Sequence, residues 1–240
     1  MVAIPQIIED PTLKAMEKAI EAAQETERRN YVGASSIGND CARQIYYEYN
    51  GYPRPLFPAK ALMNFDDGHR TEELTAARLR MVQGIELHTH KPDGTQWGFS
   101  ALGDRFKGHC DGFIRGLKQA PVTPHVWECK ASGQKKFNEF QNVKAKYGEK
   151  ATLENWNFTY YVQSQIYMHY FDLKRHYTTV ALAGGREYDS CRTEYKQEVA
   201  LKYIDRAEKI INATQPPPRI SEQSDFYLCK WCAFKEVCHG

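Results

Sequence analysis

The chain has 240 residues, which is enough for one sizeable domain with at most a small appendage. Its 32 basic and 30 acidic residues nearly balance, so a nucleic-acid partner would have to bind a local patch rather than the overall charge. At 42% apolar and 26% charged residues, the composition excludes a disordered or repetitive chain. No apolar run approaches the roughly 20 residues of a transmembrane helix, and the opening residues do not have the pattern of a signal peptide. We therefore expect a cytoplasmic protein with no membrane partner.

Two helical patterns open the chain. Residues 12–30 are highly charged with a thin apolar stripe, which is typical of a peripheral helix. Ser35 or Ser36 is a suitable N-cap for a second helix, and Gly51 is a suitable stop. Cys41 falls on the same face of this second helix as its apolar residues, so by itself it indicates a packed core thiol.

A loop with three prolines, residues 52–58, separates the second helix from a third over about residues 60–83. His69 lies near the start of the third helix, next to Gly68, where a neighbouring backbone can approach closely. A single histidine at such a position most often caps the helix or faces solvent. It is also a suitable metal ligand, so His69 is a candidate ligand if other donors lie nearby.

The next part of the chain has the alternating pattern of β-strands. Residues 84–90 and 96–102 predict two strands joined by a turn, and residues 105–115 continue the pattern. After a Pro-rich turn, residues 125–130 form another short strand. We therefore expect helices followed by a meander of strands that ends in this segment, in a mixed α/β architecture.

The meander carries two acids and a lysine at strand spacing. Side chains at i and i+2 of a strand point to the same face, so Glu128 and Lys130 project together and Cys129 points away. An antiparallel partner strand would bring Asp111 alongside them. Two carboxylates and a lysine on one face favour binding of Mg²⁺ or Mn²⁺, and such an ion would acidify a bound water. Lys130 would hold that water and offset the negative charge of the transition state. By itself this spacing is also typical of an ion pair on a solvated strand.

A basic helix is predicted directly after these strands, over about residues 133–150. From residue 130 to residue 150 there are six lysines and two glutamates. A run of charge is usually a solvated face, but it can also contact phosphates. Lys135 and Lys136 are the candidate DNA contacts in this helix.

Residues 152–172 predict a strongly aromatic helix. Gln163 and Tyr167 lie four residues apart on one face, and both would need polar partners if that face is buried. A β-branched strand, another helix and a Pro-rich linker that ends the regular structure follow, over residues 177–183, 197–213 and 215–218.

Three cysteines near the end of the sequence, Cys229, Cys232 and Cys238, have the spacing C-x2-C-x5-C. In a reducing compartment this spacing favours a metal or cluster site over disulfides. Three thiolates leave a zinc ion or a 4Fe–4S cluster one ligand short. We choose Cys41 as the fourth ligand, because it would connect the N-terminal part to the tail, whereas His239 is awkwardly adjacent to Cys238. The other candidates are Cys110, Cys129 and Cys191.

These residues together resemble the RecB-type branch of the PD-(D/E)XK nucleases. With the cysteines included, the chain is similar to the iron–sulfur exonucleases associated with CRISPR arrays and to the nuclease module of AddB-type helicase–nucleases. The likeness runs from about residue 35 to residue 238, although position 110 is Cys where the superfamily nominally has Pro. It rests on Gly108-x-x-Asp111, Glu128-x-Lys130, Gln163-x-x-x-Tyr167, the upstream His69 and the four cysteines.

The resemblance implies a restriction-endonuclease-like core, with a mixed central sheet flanked by helices. Residues 1–34 would form an N-terminal helix, and residues 35–240 would form a single nuclease domain closed by a 4Fe–4S cluster. The activity would be exonuclease action on DNA ends, in recombination, repair or CRISPR adaptation, with partner proteins from those systems. The implied metal ligands are His69, Asp111, Glu128 and the Cys129 carbonyl, and Lys130 is the implied catalytic lysine. Gln163 and Tyr167 would order the site and the DNA strand. The cluster would be held by Cys41, Cys229, Cys232 and Cys238.

A rival interpretation comes from another functional class. The chain could be a non-catalytic DNA-end-binding or adaptor protein with a structural Zn(Cys)4 knuckle. The presence of Asp111, Glu128 and Lys130 together argues against it, because a protein that only binds DNA would not need all three.

Overall fold

The computed structural model describes residues 10–24 and 29–240, in which helices alternate with short strands. Within these residues, no helix is both long enough and apolar enough to cross a membrane. The strands are β1 Val32–Gly33, β2 Glu86–His88, β3 Gly98–Ala101, β4 Phe106–His109, β5 Gly112–Arg115, β6 His125–Ser132, β7 Arg175–Leu182 and β8 Tyr188–Glu194. The helices are α1 Pro11–Ala22, α2 Ala42–Tyr49, α3 Ala59–Arg80, α4 Gln134–Tyr147, α5 Thr152–Trp156, α6 Phe158–Tyr170, α7 Gln197–Asn212, α8 Tyr227–Lys230 and α9 Lys235–His239.

The strands form two sheets. The larger sheet has the order β2-β5-β6-β7-β8, and all its pairs are antiparallel except the central pair β6–β7, which is parallel. A parallel pair requires a crossover connection, which α4, α5 and α6 supply between β6 and β7. The smaller sheet has the order β1-β4-β3. A mixed central sheet flanked by helices is the fold class that the sequence predicted, and this prediction is confirmed.

Strand β6 lies in the middle of the main sheet and is covered on both faces. Trp127 points to one face and packs with Ala76 of α3. Val126 points to the other face and packs with Val162 of α6. Because alternate residues of a strand share a face, Glu128 lies on the α6 side, where only 2% of its surface is exposed. A carboxyl group is thus held inside the protein by the packing of its neighbours.

The segment predicted as one run over residues 105–115 is divided between the two sheets. Strand β4 pairs with β3 and β1, whereas β5 pairs with β2 and β6. The chain changes sheets at Asp111, directly before Gly112. A Cβ atom at Gly112 would lie 2.6 Å from the His88 carbonyl oxygen, so glycine permits this close approach of β2. The change of sheet places Asp111 at a corner beside β6.

Two predicted helices differ from the structure. Helix α2 begins at Ala42 rather than after Ser35 or Ser36, and Cys41 is its N-cap residue. The Ser36 hydroxyl instead donates to the Gly33 carbonyl, closing a turn before the helix. The predicted helix over 152–172 is interrupted at Asn157, whose side chain caps α6.

The end of the first predicted helix also differs from the structure, and some elements were missed. Helix α1 ends at Ala22, and part of the first predicted helix, residues 25–28, lies outside the described residues. Gly51, with a φ of 67°, follows α2 as expected. Strand β8 was not predicted, and the short helices α8 and α9 continue beyond the Pro-rich linker.

Candidate active site

The antiparallel register of β5 and β6 brings the two acids and the lysine together. Gly112 pairs with Trp127, so Asp111 lies opposite Glu128. The Asp111 backbone N–H donates to Glu128 Oε1 at 3.3 Å, and Lys130 Nζ donates to Glu128 Oε2 at 2.6 Å. The predicted juxtaposition of Asp111, Glu128 and Lys130 is therefore present in the structure.

The end of β6 has an open edge at this point. Strand β5 begins opposite Trp127, so beyond that residue β6 pairs, among residues 10–24 and 29–240, only with β7. On the open side, the Cys129 N–H donates to Asp111 Oδ2 at 2.7 Å instead of to another strand. The N–H and C=O of one strand residue point to the same side, so the Cys129 carbonyl also faces the open edge.

Helix α3 adds two side chains to the cleft at this edge. The cleft has a volume of about 940 Å³, and its lining includes His69, Glu72, Asp111, Cys129 and Lys130. His69 and Glu72 are three residues apart, which places them on one face of α3. Glu72 was not predicted as a site residue. Its spacing from His69 is a signal that could have indicated it, but only once His69 is known to face the cleft.

The carboxyl groups in and directly behind this cleft repel one another. Burial, together with the charge of Asp111, raises the pKa of Glu128 to about 8, despite the opposing effect of Lys130. Burial and Asp111 likewise raise the pKa of the half-buried Glu72 to about 7. Burial alone would lower the pKa of Lys130, but the charges of Glu128 and Asp111 outweigh that effect and raise it. The site thus gathers three acidic groups around one lysine.

The donor types in the cleft fit a hard divalent cation. Carboxylate and carbonyl oxygens are the usual ligands of Mg²⁺ and Mn²⁺, and an imidazole is compatible with Mn²⁺. However, nowhere in residues 10–24 and 29–240 are three or more His, Cys, Asp or Glu side chains grouped so that they could hold a metal ion. One oxygen of Glu128 is engaged by Lys130, and one of Asp111 by the Cys129 N–H. Metal binding therefore requires side-chain movement, and the metal site stays a prediction.

Helix α6 fixes the strand that leads to Asp111. Gln163 Nε2 donates to the Tyr167 hydroxyl at 3.1 Å, and that hydroxyl donates to the His109 carbonyl at 2.6 Å. Both side chains are buried, and His109 lies two residues before Asp111. The polar partners that the sequence required are thus present, and they connect α6 to the end of β4. Direct contact of Gln163 and Tyr167 with DNA stays a prediction.

The lysines of the basic helix α4 are not equivalent. Lys144 forms an ion pair with Asp189, and Lys150, just after the helix, forms one with Glu194. Lys135 and Lys136 are exposed in the first turn of α4, which directly follows β6. These two lysines are placed so that they could contact a strand of DNA leaving the cleft.

The four cysteines predicted to hold a cluster line one small cavity. Cys41, at the start of α2, meets Cys229, Cys232 and Cys238 from the tail. The rings of Tyr47 and Phe234, whose centroids are 5.7 Å apart, join α2 to the tail beside this cavity. Within the part of the chain that the structure describes, the four thiols are not already grouped as metal ligands, so the cluster stays a prediction. The other three cysteines are buried: Cys129 and Cys191 lie in β6 and β8, and Cys110 directly follows β4.

The raised pKa values of Glu72 and Glu128 predict a pH-dependent stability. In the unfolded chain both groups lose their protons near pH 4.5, whereas in the folded protein they keep them up to about pH 7 and pH 8. The contribution of these two groups to the stability of the folded protein is therefore complete below about pH 4.5. It is lost as the pH rises through their pKa values in the folded protein. We expect the free energy of unfolding, measured by urea denaturation in chelator, to fall over this range.

Glu72→Gln should flatten this dependence and make the protein more stable at pH 8, because it removes one of the mutually repelling charges. Asp67→Asn, which changes an exposed acid on the same helix, is the matched control and should behave like the wild type. An unchanged pH dependence in Glu72→Gln would contradict the prediction.

Comparisons with known proteins relate this fold to exonucleases. No protein-family model and no curated protein matches the sequence. Among solved structures, the alkaline exonuclease LHK-Exo from Laribacter hongkongensis matches with a TM-score of 0.52 and 12% identity, over 81% of this chain and 90% of that one. LHK-Exo was also solved in complex with dAMP.

Two further structures match. A phage-related exonuclease from Haemophilus somnus 129PT has a TM-score of 0.51 and 14% identity, over 75% of this chain and 93% of that one. SSO0001 has a TM-score of 0.50 and 16% identity, over 96% of each chain. At these identities the likeness shows the fold alone. The chain has the restriction-endonuclease-like fold of these exonucleases.

Proposed function

We propose that the protein is a metal-dependent DNA exonuclease that hydrolyses phosphodiester bonds from free DNA ends. The observation that carries this proposal is the gathering of Asp111, Glu128 and Lys130 at the open edge of β6, where Asp111 and Lys130 line a cleft and Glu128 is buried beside them. The fold shared with solved exonucleases supports it. We further propose a role in DNA recombination, repair or CRISPR adaptation, alongside partner proteins of those systems.

The predicted site residues at the open edge of β6 have proposed roles in hydrolysis. Asp111, Glu128, His69 and the Cys129 carbonyl would hold Mg²⁺ or Mn²⁺. When bound, the ion would lower the pKa of a coordinated water and neutralise charge on the scissile phosphate. Lys130 would orient the attacking water and offset the charge that develops on the phosphate oxygens.

Aromatic side chains along the cleft support entry of a DNA strand. Besides the acids and Lys130, the lining includes Tyr49, Tyr52, Phe57 and Phe65, with Arg54 beside them. The Arg54 guanidinium lies 4.6 Å from the centroid of the Phe57 ring. Bases of an unpaired strand stack on aromatic rings, while arginine contacts phosphates or adds cation–π attraction. This lining favours a strand whose bases are unpaired at the end being cut.

The cavity lined by the four cysteines would have a structural role in the enzyme. We propose that Cys41, Cys229, Cys232 and Cys238 hold a 4Fe–4S cluster that connects α2 to the tail. None of these cysteines lines the catalytic cleft, whose lining reaches the tail through Phe234. The cluster would therefore stabilise one wall of the cleft without supplying a ligand to the catalytic metal.

Digestion of matched DNA substrates tests the proposed function. End-labelled linear DNA should be degraded with Mg²⁺ or Mn²⁺ and should survive in chelator. Because digestion begins at a free end, a covalently closed circle of the same sequence should persist much longer than its linear form. A Lys130→Ala preparation is the control for contaminating nucleases.

Three outcomes would separate the alternatives. Equal degradation of circle and linear DNA would indicate an endonuclease. Binding of DNA ends without any cleavage would favour the non-catalytic adaptor. Cleavage that persists in Lys130→Ala would show that the activity does not come from this cleft.

A further inference from the structure

Helix α6 presents a stripe of three side chains toward the candidate active site. Tyr160, Gln163 and Tyr167 lie at positions i, i+3 and i+7, hence on one face of the helix. At one end of the stripe, Tyr167 holds the His109 carbonyl of β4. At the other end, the Tyr160 ring lies against Lys130, with the Lys130 Nζ atom 5.0 Å from the ring centroid. The stripe therefore contacts both strands that carry the site.

Lys130 needs such a contact because its side chain is long and flexible. Only 18% of the side chain is exposed, and in residues 10–24 and 29–240 its ammonium has two direct partners, the Glu128 carboxylate and the Tyr160 ring. Glu128 lies on the same strand face and is also a proposed metal ligand, so Lys130 and the metal ion would compete for its oxygens. An ammonium group is attracted to the negative face of an aromatic ring, and this attraction is stronger where water is excluded.

Both the backbone and the ring of Tyr160 have fixed partners. The Asn157 side chain, which caps α6, accepts a hydrogen bond from the Tyr160 N–H at 3.1 Å. The ring packs against Trp156, with 5.8 Å between the ring centroids. Tyr160 also lines the cleft. A fixed aromatic ring that contacts the ammonium inside the cleft is suited to hold that ammonium in one place.

We propose that Tyr160 is a positioning residue, whose ring holds the Lys130 ammonium toward the phosphate to be cleaved. This inference rests on the proposed nuclease function. It adds a residue one helical turn before the Gln163–Tyr167 pair. The inward face of α6 then has one role, which is to fix both the strand that ends at Asp111 and the lysine that acts beside it.

The test compares substitutions that keep or remove the ring. Tyr160→Phe keeps the aromatic face, so its kcat should remain within about threefold of the wild type, whereas Tyr160→Leu should lower kcat about tenfold or more because Lys130 is misplaced. KM for linear DNA should change little in either variant. Phe158→Leu is the matched control: Phe158 lies on the same helix, 43% exposed, and packs on Tyr161 and Tyr203.

A second measurement does not depend on activity. Protons held over an aromatic ring have upfield-shifted NMR signals, so the Lys130 ε-methylene signals should be shifted in the wild type and Tyr160→Phe. They should return to ordinary values in Tyr160→Leu, and a Lys130→Arg protein would identify them. Absence of the shift in the wild type would overturn the proposal.

The kinetic outcomes separate the remaining explanations. A raised KM with unchanged kcat in Tyr160→Leu would show that the ring contacts DNA instead of Lys130. Equal losses of activity and thermal stability in Tyr160→Leu and Phe158→Leu would show a merely structural role. Either result would overturn the proposal. If the wild type cleaves no DNA, the proposed function fails along with the catalytic part of this inference, while the NMR shift still shows whether Tyr160 holds Lys130.

Discussion

Replacing Lys130 by methionine should abolish DNA cleavage, with a loss of at least about a hundredfold in kcat. Methionine keeps the shape of the side chain but removes the charge that would orient the attacking water. Asp111→Asn and Glu128→Gln should have effects of similar size, because each removes a carboxylate that would hold the metal ion. His69→Ala should impair cleavage less, and excess Mn²⁺ should partly restore it, since water can replace one ligand of several.

Initial rates on end-labelled linear DNA, measured with saturating Mn²⁺, would test this prediction. Circular dichroism should show that the isosteric variants fold, because Asn at position 111 can still accept the Cys129 N–H and Gln at position 128 keeps the volume of the buried acid. Glu73→Gln, an exposed change on the same turn of α3, is the matched control. A wild-type rate in any one of the Asp111, Glu128 or Lys130 variants would remove that residue from the proposed mechanism.

The parts of the site that lie within one strand could be predicted from the sequence. Strand periodicity alone placed Glu128 and Lys130 on one face and Cys129 on the other. An antiparallel neighbour then had to bring Asp111 close, and β5 does so. Local pattern was sufficient here because the relevant distances are set by the geometry of a strand and its immediate partner.

The parts that depend on contacts between distant segments could not be predicted. Residues 105–115 alternate without a break, yet the chain changes sheets within them because β2 packs against Gly112. Helix α2 starts later than its capping residues suggested, because the preceding turn packs on α6: a Cβ atom at Gly38 would lie 2.8 Å from Thr159 Cα. In both places tertiary packing overrides a local signal.

Two cleft residues could not be predicted from the sequence for the same reason. Glu72 and Tyr160 have no distinctive local pattern, and each belongs to an otherwise ordinary helix. Their importance follows from where α3 and α6 meet the open edge of β6, which is a property of the fold. Each lies three residues from a residue that the sequence did indicate, Glu72 from His69 and Tyr160 from Gln163. Helical spacing from a known site residue is thus the useful signal once the helix is placed.

The second large effect is expected at the cysteine cavity. Protein purified without oxygen should be brown and contain iron and labile sulfide in nearly equal amounts. Changing Cys41, Cys229, Cys232 or Cys238 to alanine should remove the colour and destabilise the protein. A cluster that joins Cys41 to the tail closes a loop of most of the chain, and by analogy with a disulfide its loss would cost on the order of 4–5 kcal/mol. The tail consists of the short helices α8 and α9, and it is also anchored by Phe234, which is buried in the core beside Tyr47.

The buried cysteines of the sheets supply the controls for this series. Cys110→Ala, Cys129→Ala and Cys191→Ala should keep the iron content, because these thiols are buried in or beside the sheets and do not line the cavity. Activity in the cavity variants should fall only in step with the amount of folded protein, since the cluster gives no ligand to the catalytic metal. Colourless protein with one zinc ion per chain would favour the structural knuckle instead. A Cys41→Ala protein with full iron content would show that Cys41 is not the fourth ligand, and His239, which lines the same cavity, would become the candidate.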